Sequence, residues 1–275
     1  MRKLLNIELI KLFNNSSFKI ILGLHLVLFS LVVFVSSQID ITVPGFDTTN
    51  LFRFPHVWSY FTWIASWFNL LLAILVIMIT GNEFSYSTFR QHVIDGLSRG
   101  DLLKGKLLVT VMIALYGFVL VFLSGMVYGS VYTSGTGIST IFTGVERIFV
   151  YFLQALAYMV IGLLLVVMLR STALSIILFV LLRFPIEPII RSFFPQSFRA
   201  FFPMKSVGGL TPMPEFLSIS SENGFETPNG ADALSLSEIG ILSPGLPLPL
   251  QISIVLAYIM LFAGLALFIL KKRDL

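Results

Sequence analysis

The sequence predicts an all-α polytopic membrane protein with six transmembrane helices, and three observations carry that expectation. Of its 275 residues, 56% are hydrophobic and only 12% are charged, against roughly 25% charged in soluble domains. Mean hydropathy is +0.93. Several runs reach the ~20 apolar residues that cross a bilayer as a helix. These runs are long and continuous, whereas the strands of a transmembrane barrel alternate apolar and polar residues in segments of about 10. The chain contains no cysteine, which excludes disulfides, thiolate metal sites and cysteine nucleophiles. Its net charge of +4 is read through the placement of Lys and Arg in loops. It is not taken as a nucleic-acid signal, and no nucleic-acid partner is expected.

The chain reads as one transmembrane domain, 1–275. Residues 1–17 precede the first apolar run. At 100° per residue Met1, Leu5, Leu9, Leu12 and Phe13 share one face, with Lys3, Lys11 and Asn14 broadly opposite and Ile7 and Ile10 as exceptions. That pattern predicts an amphipathic helix lying in the membrane interface. A signal-peptide lead fits less well, because no small-residue cleavage site follows the apolar run. The spans are expected at about 18–37, 59–80, 107–131, 147–169, 173–190 and 251–270. His25, alone within the first span, reads as a packed helix residue rather than a ligand. Asp40, Pro44, Gly45 and Asp47 mark a polar loop before the second span, whose start carries Trp58, Trp63 and Trp67, residues typical of a membrane–water interface. Gly125-x-x-x-Gly129 in the third span permits close helix approach. Arg170-Ser171-Thr172 is a very tight turn between the fourth and fifth spans.

The fifth span is interrupted by Pro185 and Pro188, and a proline inside a helix removes a hydrogen bond and kinks or ends it. It leads into a segment with Phe193, Phe194, Phe198, Phe201 and Phe202, too apolar for a free loop and too broken by Pro195 and Pro203 to span. This reads as an interfacial or re-entrant region before the sixth span, inside a larger extracytoplasmic loop, 191–250. Six spans place both termini on one side. Twelve of the eighteen Lys and Arg residues fall on the side holding the termini, 81–106 and Arg170, while nine of the fourteen acids fall opposite. By the positive-inside rule both termini are cytoplasmic, in a multi-pass protein of the cell inner (cytoplasmic) membrane.

The polar stretch 81–106, GNEFSYSTFRQHVIDGLSRGDLLKGK, separates the second and third spans. Ser85, Ser87 and Thr88 are possible caps for a short helix from about Ser87 to Asp95, and Gly96 is a natural C-terminal stop. Ser98-x-x-Asp101 has capping-box spacing ahead of an apolar run. The stretch therefore reads either as a solvated basic loop or as a short docking helix, with Arg90, Gln91, His92 and Arg99 outward, followed by the capped start of the third span. Gly100 to Leu107 fits G-x4-G-K, but Leu107 stands where a P-loop needs Ser or Thr for magnesium, and no strand precedes it. Nucleotide binding by this chain is not expected. Arg183 and Glu187 are charges within an apolar span, where such groups are costly and often functional. Their i, i+4 spacing would allow an ion pair, serving either as a gate in a pathway or as an interfacial anchor, with Phe193 and Phe194 beyond it. No catalytic motif emerges: the three histidines are far apart and no H-E-x-x-H or G-x-S-x-G occurs, so neither catalytic residues nor a metal site is assigned.

Asn82-Glu83-Phe84, Ser87-Thr88-Phe89-Arg90, Gly96-Leu97-Ser98-Arg99 and Leu102-Leu103-Lys104-Gly105-Lys106 together resemble the coupling-helix region of type-2 ABC transporter permeases. There an E-(Y/F), GT-(F/L)-R, (L/G)-(S/T)-R and GK string links the second and third spans; Ser87 stands where that family usually has Gly. The resemblance extends to the whole architecture, but only this string is specific. It implies a membrane-spanning subunit that is not itself catalytic. Such a subunit pairs with a second permease subunit, as a homo- or heterodimer, and rests a cytoplasmic coupling helix on a separate ABC ATPase subunit that holds ATP and magnesium. Carried over by residue, the ATPase-coupling set is Glu83, Phe84, Thr88, Arg90, Gln91, Leu97, Ser98, Arg99 and Lys106. The expected function is export of an apolar or amphipathic peptide, drug or lipid across the lipid bilayer, out of the cytoplasm or inner leaflet. An ion-coupled secondary transporter would instead call for midplane ionisable residues and internal repeats, and a non-transporting scaffold or immunity protein for no energy-supplying partner.

Overall fold

The computed structural model describes residues 2–39, 42–43, 46–86, 88–94, 96–135, 137–214 and 246–272. Six segments are helical, long and apolar enough to cross a membrane: Ser16–Ser37, His56–Ser85, Arg99–Tyr132, Ile138–Leu169, Thr172–Ser192 and Leu248–Lys272. We label the helices α1 (Arg2–Asn14), α2 (Ser16–Ser37), α3 (His56–Ser85), α4 (Thr88–Ile94), α5 (Arg99–Tyr132), α6 (Ile138–Phe142) and α7 (Glu146–Leu169). Then follow α8 (Thr172–Leu181), a π-helical turn (Leu182–Ile186), α9 (Glu187–Ser192), α10 (Gln196–Arg199), α11 (Pro203–Gly208) and α12 (Leu248–Lys272). Two-residue strands, Thr42–Val43 and Phe46–Asp47, pair antiparallel in the loop before α3.

Local chemistry sets the boundaries. The Asn15 side chain accepts from the Ser17 and Phe18 N–H groups at 2.9 and 3.4 Å, so the chain breaks there and α2 begins with its first amides satisfied. Arg170, at φ 51°, ends α7 in the left-handed conformation, and Ser171 caps α8 through the Leu174 N–H. The tight turn expected at these residues is thus a stop and a start only two residues apart. Pro185 lies in the π-helical turn. The wider turn absorbs the missing donor, and helix continues to Ser192 instead of breaking.

The core is built on α3 and α7, which pack against each other along their length, with α2, α5, α8 and α12 around them. In its most apolar stretch the α7 segment is 67% buried, against 17% for the α8 segment and 11% for α12. The outer helices therefore turn continuous apolar faces, including Ile177, Leu256 and Met260, away from the bundle. Trp58 departs from the interfacial role expected of it. It is fully buried, its indole N–H donates to the Ile141 carbonyl at 2.8 Å, and its ring stacks on Phe122. Gly125 and Gly129 leave room for this aromatic layer. A Cβ at Gly125 would lie 2.6 Å from the Trp58 ring, and one at Gly129 closer still to Phe54. The small residues admit rings here, not a neighbouring helix backbone.

After α9 the chain folds back, so that Met204, Ser206, Val207, Leu210 and Thr211 are buried where α11 meets α7 and α12. Buried amides fasten this return. Gln154 Nε2 donates to the Val207 carbonyl at 3.0 Å while its Oε1 accepts from Asn69 and Thr211 at 3.1 and 3.0 Å. Gln251 Nε2 donates to the Ser206 carbonyl at 2.8 Å.

Candidate functional site: a buried charge cluster

α1, the ends of α3 and α12, α4 and the start of α5 meet at one end of the bundle, so both ends of the described chain lie beside residues 81–106. The centre of this end is Lys106. Two turns into α5 it is 2% exposed, and its ammonium donates to Glu8 Oε2 at 2.6 Å and to Glu83 Oε1 at 2.7 Å. Lys11 donates to the same Glu83 oxygen at 3.0 Å, approaches Glu8 at 3.4 Å, and lies 2.7 Å from His92 Nε2. A donating ammonium requires the accepting, neutral nitrogen of His92. Two carboxylates thus face two ammoniums, and buried charges are tolerable because each is paired and hydrogen-bonded.

Each partner is placed by its own element. Glu83 sits in the last turn of α3; the Thr88 hydroxyl donates to its backbone carbonyl at 3.1 Å and ties α4 to that helix end. Gly96, at φ +93°, lets the chain reverse after α4, with the Gly96 and Leu97 N–H groups donating to the Val93 and His92 carbonyls. Ser98 then caps α5: its hydroxyl accepts from the Asp101 N–H at 3.1 Å and donates to the Asp101 carboxylate at 2.6 Å. Leu97 packs half-buried on the core. Phe84, also half-buried, presents its ring to the Arg170 guanidinium at 6.0 Å.

Several positions differ from the outward array expected. His92 turns in to Lys11, and Arg99 donates to the Leu270 and Lys271 carbonyls at 3.3 and 2.8 Å. A guanidinium there satisfies the last carbonyls of α12 and opposes the negative end of its dipole. Gln91 is exposed as expected. The Arg90 side chain, Ser87 and Asp95 lie outside the described residues, as do Met1, Arg273, the side chains of Lys3 and Leu5, and most of the loop at 204–250. The face of α1 also differs. Glu8 and Leu12 are buried while Ile10 and Phe13 are 63% and 62% exposed, because the charges of Lys106 and Glu83 hold the polar edge of α1 inward. Glu8 and Lys11 are thus site residues that sequence reasoning passed over, although Glu8 is the only acid among the first 39 residues.

Arg183 and Glu187 do not pair. The Glu187 carboxylate accepts from the Met204 and Lys205 N–H groups at 2.8 and 2.7 Å, capping α11, whereas Arg183 lies over the rings of Tyr158 and Phe184 at 5.5 and 5.7 Å. Phe193 and Phe194 are exposed, and Phe194 meets Phe202 edge to face. His25 is fully buried between Phe68 and Tyr116, a packed residue.

Six apolar helices around a buried core, with a paired charge cluster at one end, define the chain as a multi-pass α-helical membrane protein. Compared with known proteins, it matches no family model and no curated sequence.

Proposed function

We infer that the chain is the membrane-spanning subunit of an ATP-driven exporter, with residues 81–106 as the cytoplasmic element on which a separate ATPase rests. The observation that carries this reading is mechanical. α4 is bonded through Thr88 and His92 to α3 and α1, and Lys106 and Arg99 bond the following helix to α1, α3 and α12. Load applied to α4 thus reaches four other helices through short polar contacts, which side chains in a solvated loop would not transmit. The likeness of Glu83, Thr88, Arg90, Leu97, Ser98, Arg99 and Lys106 to the permease string supports the same reading. The returning segment α9–α11 then acts as the re-entrant region at the outer end, and the apolar faces of the outer helices serve contact with lipid and a second permease subunit.

The test purifies the full chain from its native membrane under crosslinking, identifies any Walker-type ATPase that comes with it, and reconstitutes the two together. A stoichiometric complex is expected, with its ATPase activity lost in E83A and R99E while both variants insert normally. Purification of the chain without that ATPase under crosslinking, or unchanged activity in both variants, overturns the reading.

A further inference from the structure

A cavity of about 380 Å³ opens between α3, α8 and the returning α11, lined among others by Trp63, Trp67, Tyr158, Arg183, Phe184 and Gly208. It lies far from the charge cluster: Arg183 is eleven residues along from Thr172, about 16 Å of helix, so its cation is held deep within an apolar span. Such a charge is expensive there unless something compensates it. None of the ion pairs among the described residues includes Arg183. The nearby carboxylate, Glu187, is committed to the amides of α11, leaving the guanidinium on the rings of Tyr158 and Phe184 and beside the Tyr158 hydroxyl, with no anion among the described residues paired to it.

A second observation points to an occupant. The Tyr158 hydroxyl, in a side chain 3% exposed, lies against the Arg183 guanidinium, which can only donate, so its own O–H finds no acceptor among the described residues. It and the Arg183 guanidinium converge over Gly208, where a Cβ would lie 3.2 Å from the hydroxyl and 3.7 Å from Arg183 Nη2. The absent side chain keeps open a spot faced by one O–H donor and one guanidinium. Arg191 and Lys205 add to the local positive charge, and burial together with Arg191 and Arg183 pushes the Lys205 ammonium below its usual value. On the other side Trp67 and Phe184 are exposed at the cavity mouth, offering apolar rings to a hydrocarbon chain.

We propose that this cavity binds an amphiphile with a phosphate or carboxylate headgroup: the headgroup takes the Arg183 guanidinium and the Tyr158 hydroxyl above Gly208, and the chain leaves past Trp67 and Phe184. The volume suits a headgroup and the first part of one chain, not a whole two-chain lipid, so the remainder lies between α3 and α8. The proposal is independent of the exporter reading, since binding is read without an ATPase.

Two of the chain's three tryptophans line the cavity, which supplies the readout. The full chain is placed in phosphatidylcholine vesicles and its tryptophan fluorescence followed as phosphatidylglycerol with brominated chains is added. Saturable quenching at low anionic fraction is expected, exceeding that by brominated phosphatidylcholine. Loss of a charge-assisted contact raises the half-saturating fraction about tenfold or more in R183Q; G208V, which fills the spot, does the same without removing the charge, and R183K falls between. Dodecyl phosphate displaces the lipid and neutral dodecyl maltoside does not. Equal quenching by both brominated lipids, titrations of R183Q and G208V that superimpose on the wild-type curve, or displacement by inorganic phosphate alone overturns the proposal, the last in favour of a soluble anion.

Discussion

Lys106 concentrates the energetics of the basic end. Its ammonium is buried between two carboxylates, and such an arrangement contributes less by net attraction than by what its loss leaves behind. Lys106→Met keeps the stem volume but leaves Glu8 and Glu83 facing each other with only the half-exposed Lys11 between them. The expected cost is about 3–5 kcal/mol, the scale of an uncompensated buried charge. Adding Glu8→Gln removes one of the two stranded acids and leaves Lys11 paired with Glu83, so the double variant should recover much of the loss. Melting of the detergent-purified chain reads this directly: K106M melts well below wild type and E8Q/K106M closer to it. Additive losses would mean that the two side chains do not act as one cluster. Sequence alone marked Lys106 and Glu83 through a motif, but not Glu8 or Lys11. A helical wheel ranks hydrophobicity and carries no information about which charge a distant helix will present. The same limit hid the true partner of Arg99: carbonyls at the end of α12 carry no sequence signature, because every residue has one.

At the scale of elements, local signals served well and long-range ones did not. Ser98, Gly96 and the Arg170 turn mark helix limits because capping and left-handed turns depend on a few adjacent residues. Arg183 and Glu187 looked like an ion pair for the same local reason, their i, i+4 spacing. The π-helical turn at Pro185 changes that spacing's geometry, and α11, folded back from sixteen residues downstream, offers Glu187 amides that need an acceptor. Glu187 therefore acts as a helix cap delivered from another element. Removing it in E187A should loosen α11 without unfolding the bundle, since Gln154 and Gln251 still hold the 206–208 carbonyls. A cap is worth about 0.5–2 kcal/mol, so exchange of the amides at 204 and 205 should quicken by roughly two- to thirtyfold if they open locally. E187Q keeps one acceptor oxygen and should fall between. Unchanged exchange at these amides in E187A, measured by hydrogen–deuterium mass spectrometry, would show that the cap does not hold α11 in place.

For the whole molecule, six spans were legible because composition and run length are sufficient to identify membrane helices, whereas the order of their packing is not written in any one of them. The structure adds a common end. α1 and the end of α12 contact the start of α5, and α4 contacts α1, so the basic segments at this end adjoin one another, as a positive-inside orientation requires. That end is cytoplasmic in the exporter reading, and the absence of native cysteine makes the point testable with single-cysteine variants. Asn14 and Ile94 are exposed at the basic end, and Ile138 is 77% exposed in α6 at the opposite one. In intact cells a membrane-impermeant maleimide should label I138C and spare N14C and I94C, with all three labelled once the membrane is opened. The inverse pattern would turn the molecule over and place α4 beyond the reach of any cytoplasmic ATPase. Labelling of N14C but not I94C, or the reverse, would separate α1 from α4 across the bilayer. That outcome would be incompatible with the contact between Lys11 and His92, and with any transfer of load from α4 into α1.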